Sequence, residues 1–277
     1  MAMKLLILGC GTSTGVPVIG CACPVCNSTD PRNTRTRSSA LIEVDGRNIL
    51  IDTSTDLRAQ ALATGFTRVD SVLFTHAHAD HIHGIDELRS FNMLQKGAIS
   101  CFGSAETNAR LTLLFKYIFS FDRGESITPE LSTTIIDGPF SIGPVQIIPV
   151  EVRHGSSAVL GFRLKDLAYI TDCSQIPPAS MEKLQGLDLL VLGALRYRAH
   201  PTHMTVEQAI EVVKRLKPGR TILTHLGHDI DYPRDNPGLP DGMEFAFDGM
   251  SVEVQEGKAR HGAKQGQDGG KAGVGSG

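Results

Sequence analysis

The chain has 277 residues, 41% of them hydrophobic and 21% charged, which suits one large α/β core. A formal net charge of −3 gives no global attraction to nucleic acid. No apolar run approaches the roughly 20 residues needed to span a bilayer, and the opening MAMKLLILGCG is too short for a signal peptide, so a soluble cytoplasmic protein is expected.

Lys4 to Leu8 reads as a first strand, followed by a glycine-rich loop from Gly9 to Gly20. The loop lacks the lysine of a P-loop and no helical pattern follows at once, so it is not read as a nucleotide cradle. Cys21, Cys23 and Cys26 come next, in GCACPVC. Three thiols at this spacing can meet on one tetrahedral metal, usually zinc, and are poorly placed to pair as disulfides. A fourth partner is missing nearby; His228, three residues beyond His225 in THLGH, is a candidate. Arg32, Arg35 and Arg37 are read as a solvated cationic face. The segments Ala40 to Val44 and Asn48 to Asp52 flank Asp45-Gly46, a hairpin signal. Asp56 to Thr64 is expected to be helical.

Val69 to Phe74 is a strand leading into SVLFTHAHADHIHG, the most informative stretch of the chain. There His76, His78, Asp80 and His81 crowd three imidazoles and a carboxylate into six positions. Such a cluster is costly to desolvate unless something binds it, and a divalent metal satisfies all four at once. His83 follows and is read as lying behind the ligands or in solvent. Ile85 to Leu94 and Thr107 to Phe119 carry helical patterns. Cys101, like Cys10 and Cys173, is expected to be a small buried residue.

In the second half, Val145 to Val152, Gly161 to Leu164, Ala168 to Thr171 and Leu187 to Leu192 read as strands. Thr205 to Leu216 reads as an amphipathic helix stopped by Pro218-Gly219, and Thr221 to Thr224 as the strand after it. His154, Asp172 and His225 each follow one of these strands. Counted together, His76, His78 and His154 could hold one metal, Asp80, His81 and His225 a second, and Asp172 could bridge them. From Gly262 onward the composition cannot bury a core. One domain over residues 1–258 is expected, with an inserted Cys-cluster loop at about 20–37 and a disordered Gly-rich tail over 259–277 that includes His261.

With the run His-x-His-x-Asp-His, the later His, the Asp after an apolar strand and the last Thr-His in this order, the chain resembles the metallo-β-lactamase superfamily from about Lys4 to Gln255. The resemblance implies an α/β (α+β) αββα sandwich: two mixed sheets with outer helices and the metals along one sheet edge. Gly15-Val16-Pro17, the Cys cluster, Ile222 to His228 and Phe247 to Met250 are similar to the PhnP-type cyclic-phosphate phosphodiesterase branch. That similarity implies a structural zinc on Cys21, Cys23, Cys26 and His228, a homodimer, and His203 as the group serving the leaving oxygen, with His200 its rival. The active-site metals expected are manganese or zinc, with iron or nickel as alternatives. The expected activity is hydrolysis of a small phosphodiester, such as a cyclic ribose phosphate, by a hydroxide bridging two metals, with Asp80 able to orient it. Arg196 and Arg198 are either clamps for a second phosphate or ordinary rim charges. Two rivals are a tRNA 3′-end-processing nuclease, which near-neutral charge disfavours, and a non-catalytic metal-binding or carrier protein of the same fold.

Overall fold

The computed structural model describes residues 3–120 and 127–254. The expected tail over 259–277, the boundary at 258 and His261 lie outside the described residues.

Fourteen strands are described, forming two seven-stranded sheets. In chain order they are β1 (Met3–Gly9), β2 (Ser39–Val44), β3 (Arg47–Ile51), β4 (Ser71–Leu73), β5 (Ile99–Gly103), β6 (Leu131–Ile135) and β7 (Phe140–Ile142). There follow β8 (Val145–His154), β9 (Ser157–Leu164), β10 (Leu167–Ile170), β11 (Leu189–Gly193), β12 (Arg220–Thr224), β13 (Met243–Phe245) and β14 (Ser251–Val254). The first sheet runs β14-β1-β2-β3-β4-β5-β6 and the second β13-β12-β11-β10-β9-β8-β7. Each sheet has an antiparallel half and a parallel half: β3 to β6 are parallel in one, β10 to β13 in the other. The parallel halves decide where the site lies, because parallel strands deliver several chain ends to one edge.

The sandwich follows from alternation along the strands. On β1, Leu5 and Ile7 face the second sheet and join Ile42, Ile51, Val150 and Phe162 in a buried layer between the sheets. Leu6 and Leu8 face the other way and join Leu41, Leu50, Val72, Ile82 and Phe91 under the helices. Those helices are α1 (Leu57–Thr64), α2 (Ala79–Ile82), α3 (Leu88–Gln95), α4 (Ala105–Leu114) and α5 (Lys116–Phe119). On the second sheet lie α6 (Pro178–Lys183) and α7 (Val206–Leu216), with the short α8 (Tyr232–Asp235) beyond. Thr205 starts α7 with a capping box: its hydroxyl accepts from the Gln208 N–H while the Gln208 side chain accepts from its own. The β2–β3 hairpin turns at Asp45 (φ 47°) and Gly46 (φ 75°), as the Asp-Gly signal predicts.

Several expectations need correction. The single helix expected over Thr107 to Phe119 is two, broken at Phe115. The helix expected from Ile85 begins as one 3-10 turn and becomes α3 at Leu88. Strands β5, β6, β7, β13 and β14 were not expected. β6 is an edge strand whose last four residues are exposed, so it carries no apolar alternation. Cys101 is indeed buried, but inside β5, the strand that pairs with β4.

The arginine run is not a solvated face. Arg35 is 1% exposed and donates to the carbonyls of Gly227 and Ile230 and to Asn33 Oδ1. Arg37 pairs with Asp56 at 2.8 Å, and Arg32 pairs with Asp30 while lying over the Tyr232 ring. Asp248 completes this seam by accepting from Cys10 N, Thr36 N and Thr36 Oγ1. The early loop is therefore fastened to residues 227–248 by hydrogen bonds as well as by its cysteines.

Candidate metal centres

The site is assembled from strand ends. His76 follows β4, Asp172 follows β10, His225 follows β12 and His154 closes β8. The short α2 brings Asp80 and His81 back under them. Asp52, Asp172 and His225 all hold a left-handed backbone, at φ 59°, 46° and 58°. Non-glycine residues reach that region at a cost of about 1–3 kcal/mol, and such residues cluster where geometry serves a site. Gly84, the last residue of the HIHG run, is required for close approach, since a Cβ there would fall on the Ser54 carbonyl.

The seven predicted side chains converge. One ligand atom each from His76, His78, His154 and Asp172 lies within 4.8 Å of the others, and Asp80, His81 and His225 meet the same limit. Asp172 faces both groups: Oδ1 is 3.3 Å from His81 Nε2 and 3.1 Å from His225 Nδ1, and Oδ2 is 3.8 Å from His76 Nε2. All are buried except His78, which lies at the mouth.

The donor set can be tested for a cation from its hydrogen bonds. His154 Nδ1 lies 2.9 Å from the Thr202 carbonyl, which only accepts, so Nδ1 carries the proton and Nε2 keeps a lone pair. His81 Nδ1 lies 2.7 Å from Asp52 Oδ2, and its buried Nε2 has no hydrogen-bond partner. That Nε2 nonetheless sits 3.3 Å from Asp80 Oδ2 and from Asp172 Oδ1. Lone pairs turned toward one another in a dry site fit a cation between them.

The electrostatics agree. Burial pushes His76, His78 and His225 down, keeping them neutral as metal ligation requires. Burial alone would raise Asp172 and Asp80, but His225 and His81 outweigh it for Asp172, and His81 does so for Asp80, so both stay ionised. His81 moves the other way, because the carboxylates of Asp172 and Asp52 overcome its desolvation.

His203 lies inside this ring of imidazoles, 4.8 Å from His225 in a stacked arrangement and 4.7 Å edge-on to His154. Burial, then the neighbouring His225, pushes its pKa down to about 3. His200 stands farther out: it touches His203 at 5.0 Å and accepts from the Thr202 N–H. His83 is exposed and meets Phe115 edge-on, away from the cluster. Arg196 donates to the carbonyls of Arg198 and Ala199 in its own loop, and Arg198 pairs with Asp229 in the loop after β12 at 3.2 Å.

Sequence reasoning missed Asp52. It is 1% exposed and accepts from Thr75 N, Thr75 Oγ1 and His81 Nδ1, fixing the orientation of the His81 ring. Its signal was present: like Asp172, it is an aspartate directly after an apolar strand. Ser38 and Thr12 were missed as well; their hydroxyls lie 3.1 and 3.2 Å from the two ring nitrogens of His225.

The second centre lies three residues from His225. The sulfurs of Cys21, Cys23 and Cys26 stand 3.3, 3.6 and 3.6 Å from His228 Nδ1. A tetrahedral site with Zn–S near 2.3 Å and Zn–N near 2.0 Å has S···N edges of about 3.5 Å, so the four atoms fit zinc. The Cys26 N–H points at Cys23 Sγ and lowers its pKa to about 7, while the Val18 N–H points at Cys26 Sγ. Cys10 and Cys173 are buried and take no part in either cluster.

A model described as a beta-lactamase superfamily domain matches residues 47–226. A solved structure described as a new diphosphatase from the PhnP family is 39% identical, covers 92% of this chain and 98% of its own, and superposes with a TM-score of 0.86. An octanoyltransferase of Porphyromonas gingivalis is 36% identical over 260 residues, 92% of this chain, but the chain spans about half, 52%, of that protein. A ribonuclease Z of Clostridium acetobutylicum is 29% identical over 137 residues, 47% of this chain and 44% of its own. Among the described residues no helix is long and apolar enough to cross a membrane. The two mixed sheets with outer helices, the family model and the 39% identity to the PhnP-family structure agree: the chain belongs to the metallo-β-lactamase superfamily of hydrolases, on its PhnP branch.

Proposed function

We propose that the chain is a dinuclear metal-dependent phosphodiesterase acting on a small phosphodiester such as a cyclic ribose phosphate. The observation that carries this reading is the Asp172 carboxylate standing between two groups of imidazoles, with the partnerless His81 Nε2 turned to it. The PhnP-family diphosphatase relative supports phosphoester chemistry. His76, His78 and His154 would hold one divalent ion, Asp80, His81 and His225 the other, and Asp172 would join them. When bound, two such ions lower the pKa of water and neutralise charge on the phosphoryl oxygens. The protein supplies the rest. Asp52, Ser38, Thr12 and the Thr202 carbonyl hold the imidazole rings in place. Asp80 orients the attacking water, and His203, stacked on His225 and kept neutral by its lowered pKa, gives a hydrogen bond to the leaving oxygen. A single zinc on Cys21, Cys23, Cys26 and His228 would leave no open coordination place, so its role is to brace the site wall. The homodimer belongs to the same proposal and is tested by light scattering.

Hydrolysis of bis(p-nitrophenyl) phosphate with manganese, zinc, nickel or iron tests the reading, followed by a screen of cyclic and linear phosphodiesters. Turnover that a chelator abolishes is expected; none with any of the four metals would leave a metal carrier of the same fold. The ribonuclease Z match favours a second reading, cleavage of an RNA 3′ end, despite the net charge of −3. Binding and trimming of a precursor tRNA at low salt would promote it above the first.

A further inference from the structure

The six cysteines are free and fall into two groups: Cys10, Cys101 and Cys173 are buried, whereas Cys21, Cys23 and Cys26 are half-exposed. The second group sits on a loop that faces solvent, with Ile19 98% exposed just before it. Ala22, Pro24 and Asn27, interleaved with the thiols, are exposed as well. Sequence spacing alone argues against a disulfide among these three thiols, but the local backbone brings one pair within bridging reach. The Asn27 N–H donates to the Cys23 carbonyl at 3.1 Å, closing a turn of helical type over Cys-Pro-Val-Cys. Cα atoms three residues apart in such a turn lie about 5 Å from each other, inside the roughly 4.4–6.8 Å that a disulfide spans. The sulfurs of Cys23 and Cys26 come within 4.8 Å of each other. The Cys26 N–H donates to Cys23 Sγ at 3.4 Å, which holds that sulfur over its partner residue.

The loop is fastened in two ways. Its tip is held only through the group that the three sulfurs share with His228 Nδ1. Its base is held separately, by the buried Arg35 on the Gly227 and Ile230 carbonyls and by Asn33 Nδ2 on Asp231 Oδ1. Freeing the tip therefore leaves the base docked, and the tip can return to the same place. The cluster from His76 to His225 contains no sulfur ligand and does not share this chemistry.

We propose that Cys23 and Cys26 form a reversible oxidation site that takes hydroperoxides and, on becoming a disulfide, releases the zinc of the loop. This rests on the zinc reading of the four-residue cluster and goes beyond it. With hydrogen peroxide, the Cys23 thiolate attacks one oxygen, the O–O bond breaks, hydroxide leaves and the sulfur becomes a sulfenic acid. The Cys26 thiolate then attacks that sulfur, the S–S bond forms and the second oxygen leaves as hydroxide. Two protons from solvent convert the hydroxides to water. The two sulfurs together lose two electrons and the peroxide gains them. Only Cys21 and His228 then remain for zinc, half of a tetrahedral set, so the ion passes to water. The buried Cys10, Cys101 and Cys173 are shielded from the same reagent.

The test is hydrogen peroxide titrated onto the metal-loaded full chain. Zinc content after desalting, free thiols, the position of any disulfide by peptide mass mapping and the melting temperature are read on each sample. About one zinc and two thiols per chain should be lost together, with the bridge in the peptide that carries Cys23 and Cys26. The melting temperature should fall by on the order of 10 °C, and dithiothreitol with added zinc should restore it. Zinc and thiols that survive excess peroxide, a bridge that includes a buried cysteine, or a loss that dithiothreitol and zinc cannot reverse overturns the proposal. Metal analysis of the untreated chain tells the two failures apart. A chain with no zinc on the loop ends the zinc reading and this proposal with it, whereas a chain that holds the zinc and keeps it under peroxide ends this proposal alone.

Discussion

The two clusters differ in how the chain builds them. The imidazole and carboxylate cluster draws on the ends of β4, β8, β10 and β12, spans residues 76 to 225 and is buried except for His78. The cysteine cluster draws three of its four members from six consecutive residues and all four are half-exposed. The first is held by two packed sheets whatever happens in the loops; the second holds a loop that has no sheet of its own. The two meet in four residues, His225 to His228, at the end of β12. Between them Gly227 accepts from the buried Arg35, so the loop carrying the cysteines also grips the strand end carrying a ligand. The difference teaches that position can come from a scaffold or from a local tie, and that losing each should have a different signature.

The largest effect separates them at the scaffold end. Asp172→Ala or His76→Ala should cut hydrolysis of bis(p-nitrophenyl) phosphate by more than about 10³-fold, through loss of first-hand metal contacts. The same variants should keep the zinc of the cysteine loop, read by metal analysis. Cys23→Ala should do the reverse. One zinc is lost and the melting temperature falls by on the order of 10 °C, because structural zinc affinity is folding free energy. An unchanged zinc count and melting curve would show that the loop needs no metal.

Smaller effects sharpen the comparison within the scaffold cluster. His203→Ala should lower turnover by about 10²-fold with metal content unchanged, as expected of a hydrogen-bond donor to the leaving oxygen that is not a ligand. Loss of metal in that variant would reassign His203 as a ligand, a reading its approach to Asp172 and His225 makes worth testing. Asp52→Asn should weaken metal binding by about 10- to 100-fold, since it releases the His81 ring without removing a ligand. Dialysis against graded chelator measures that loss.

These contrasts also explain what was legible in the sequence. The His76 to His81 run is local, and clustering of costly groups betrays it without any fold. The strands before His154, Asp172 and His225 are apolar and short, so their ends could be located. The cysteine spacing is local too, whereas His228 was reached as a neighbour of His225 and through the resemblance to the PhnP-type branch. Asp52 was missed because one aspartate after one strand carries no cluster of its own. Arg35 was misread because its partners are backbone carbonyls at 227 and 230, which leave no mark on composition. β6 stayed hidden for a related reason: an edge strand is stabilised by ladder hydrogen bonds to β5, and its side chains need not alternate strongly. β14 does alternate, but over only four residues, Ser251–Val254.

The central claim is that one chain holds two independent metal centres, and elemental analysis of the purified full chain beside Asp172→Ala and Cys23→Ala tests it most directly. The account predicts three divalent ions in the wild type, zinc alone surviving in the first variant and zinc alone missing from the second. A wild-type chain with a single ion, or the same losses in both variants, would contradict it.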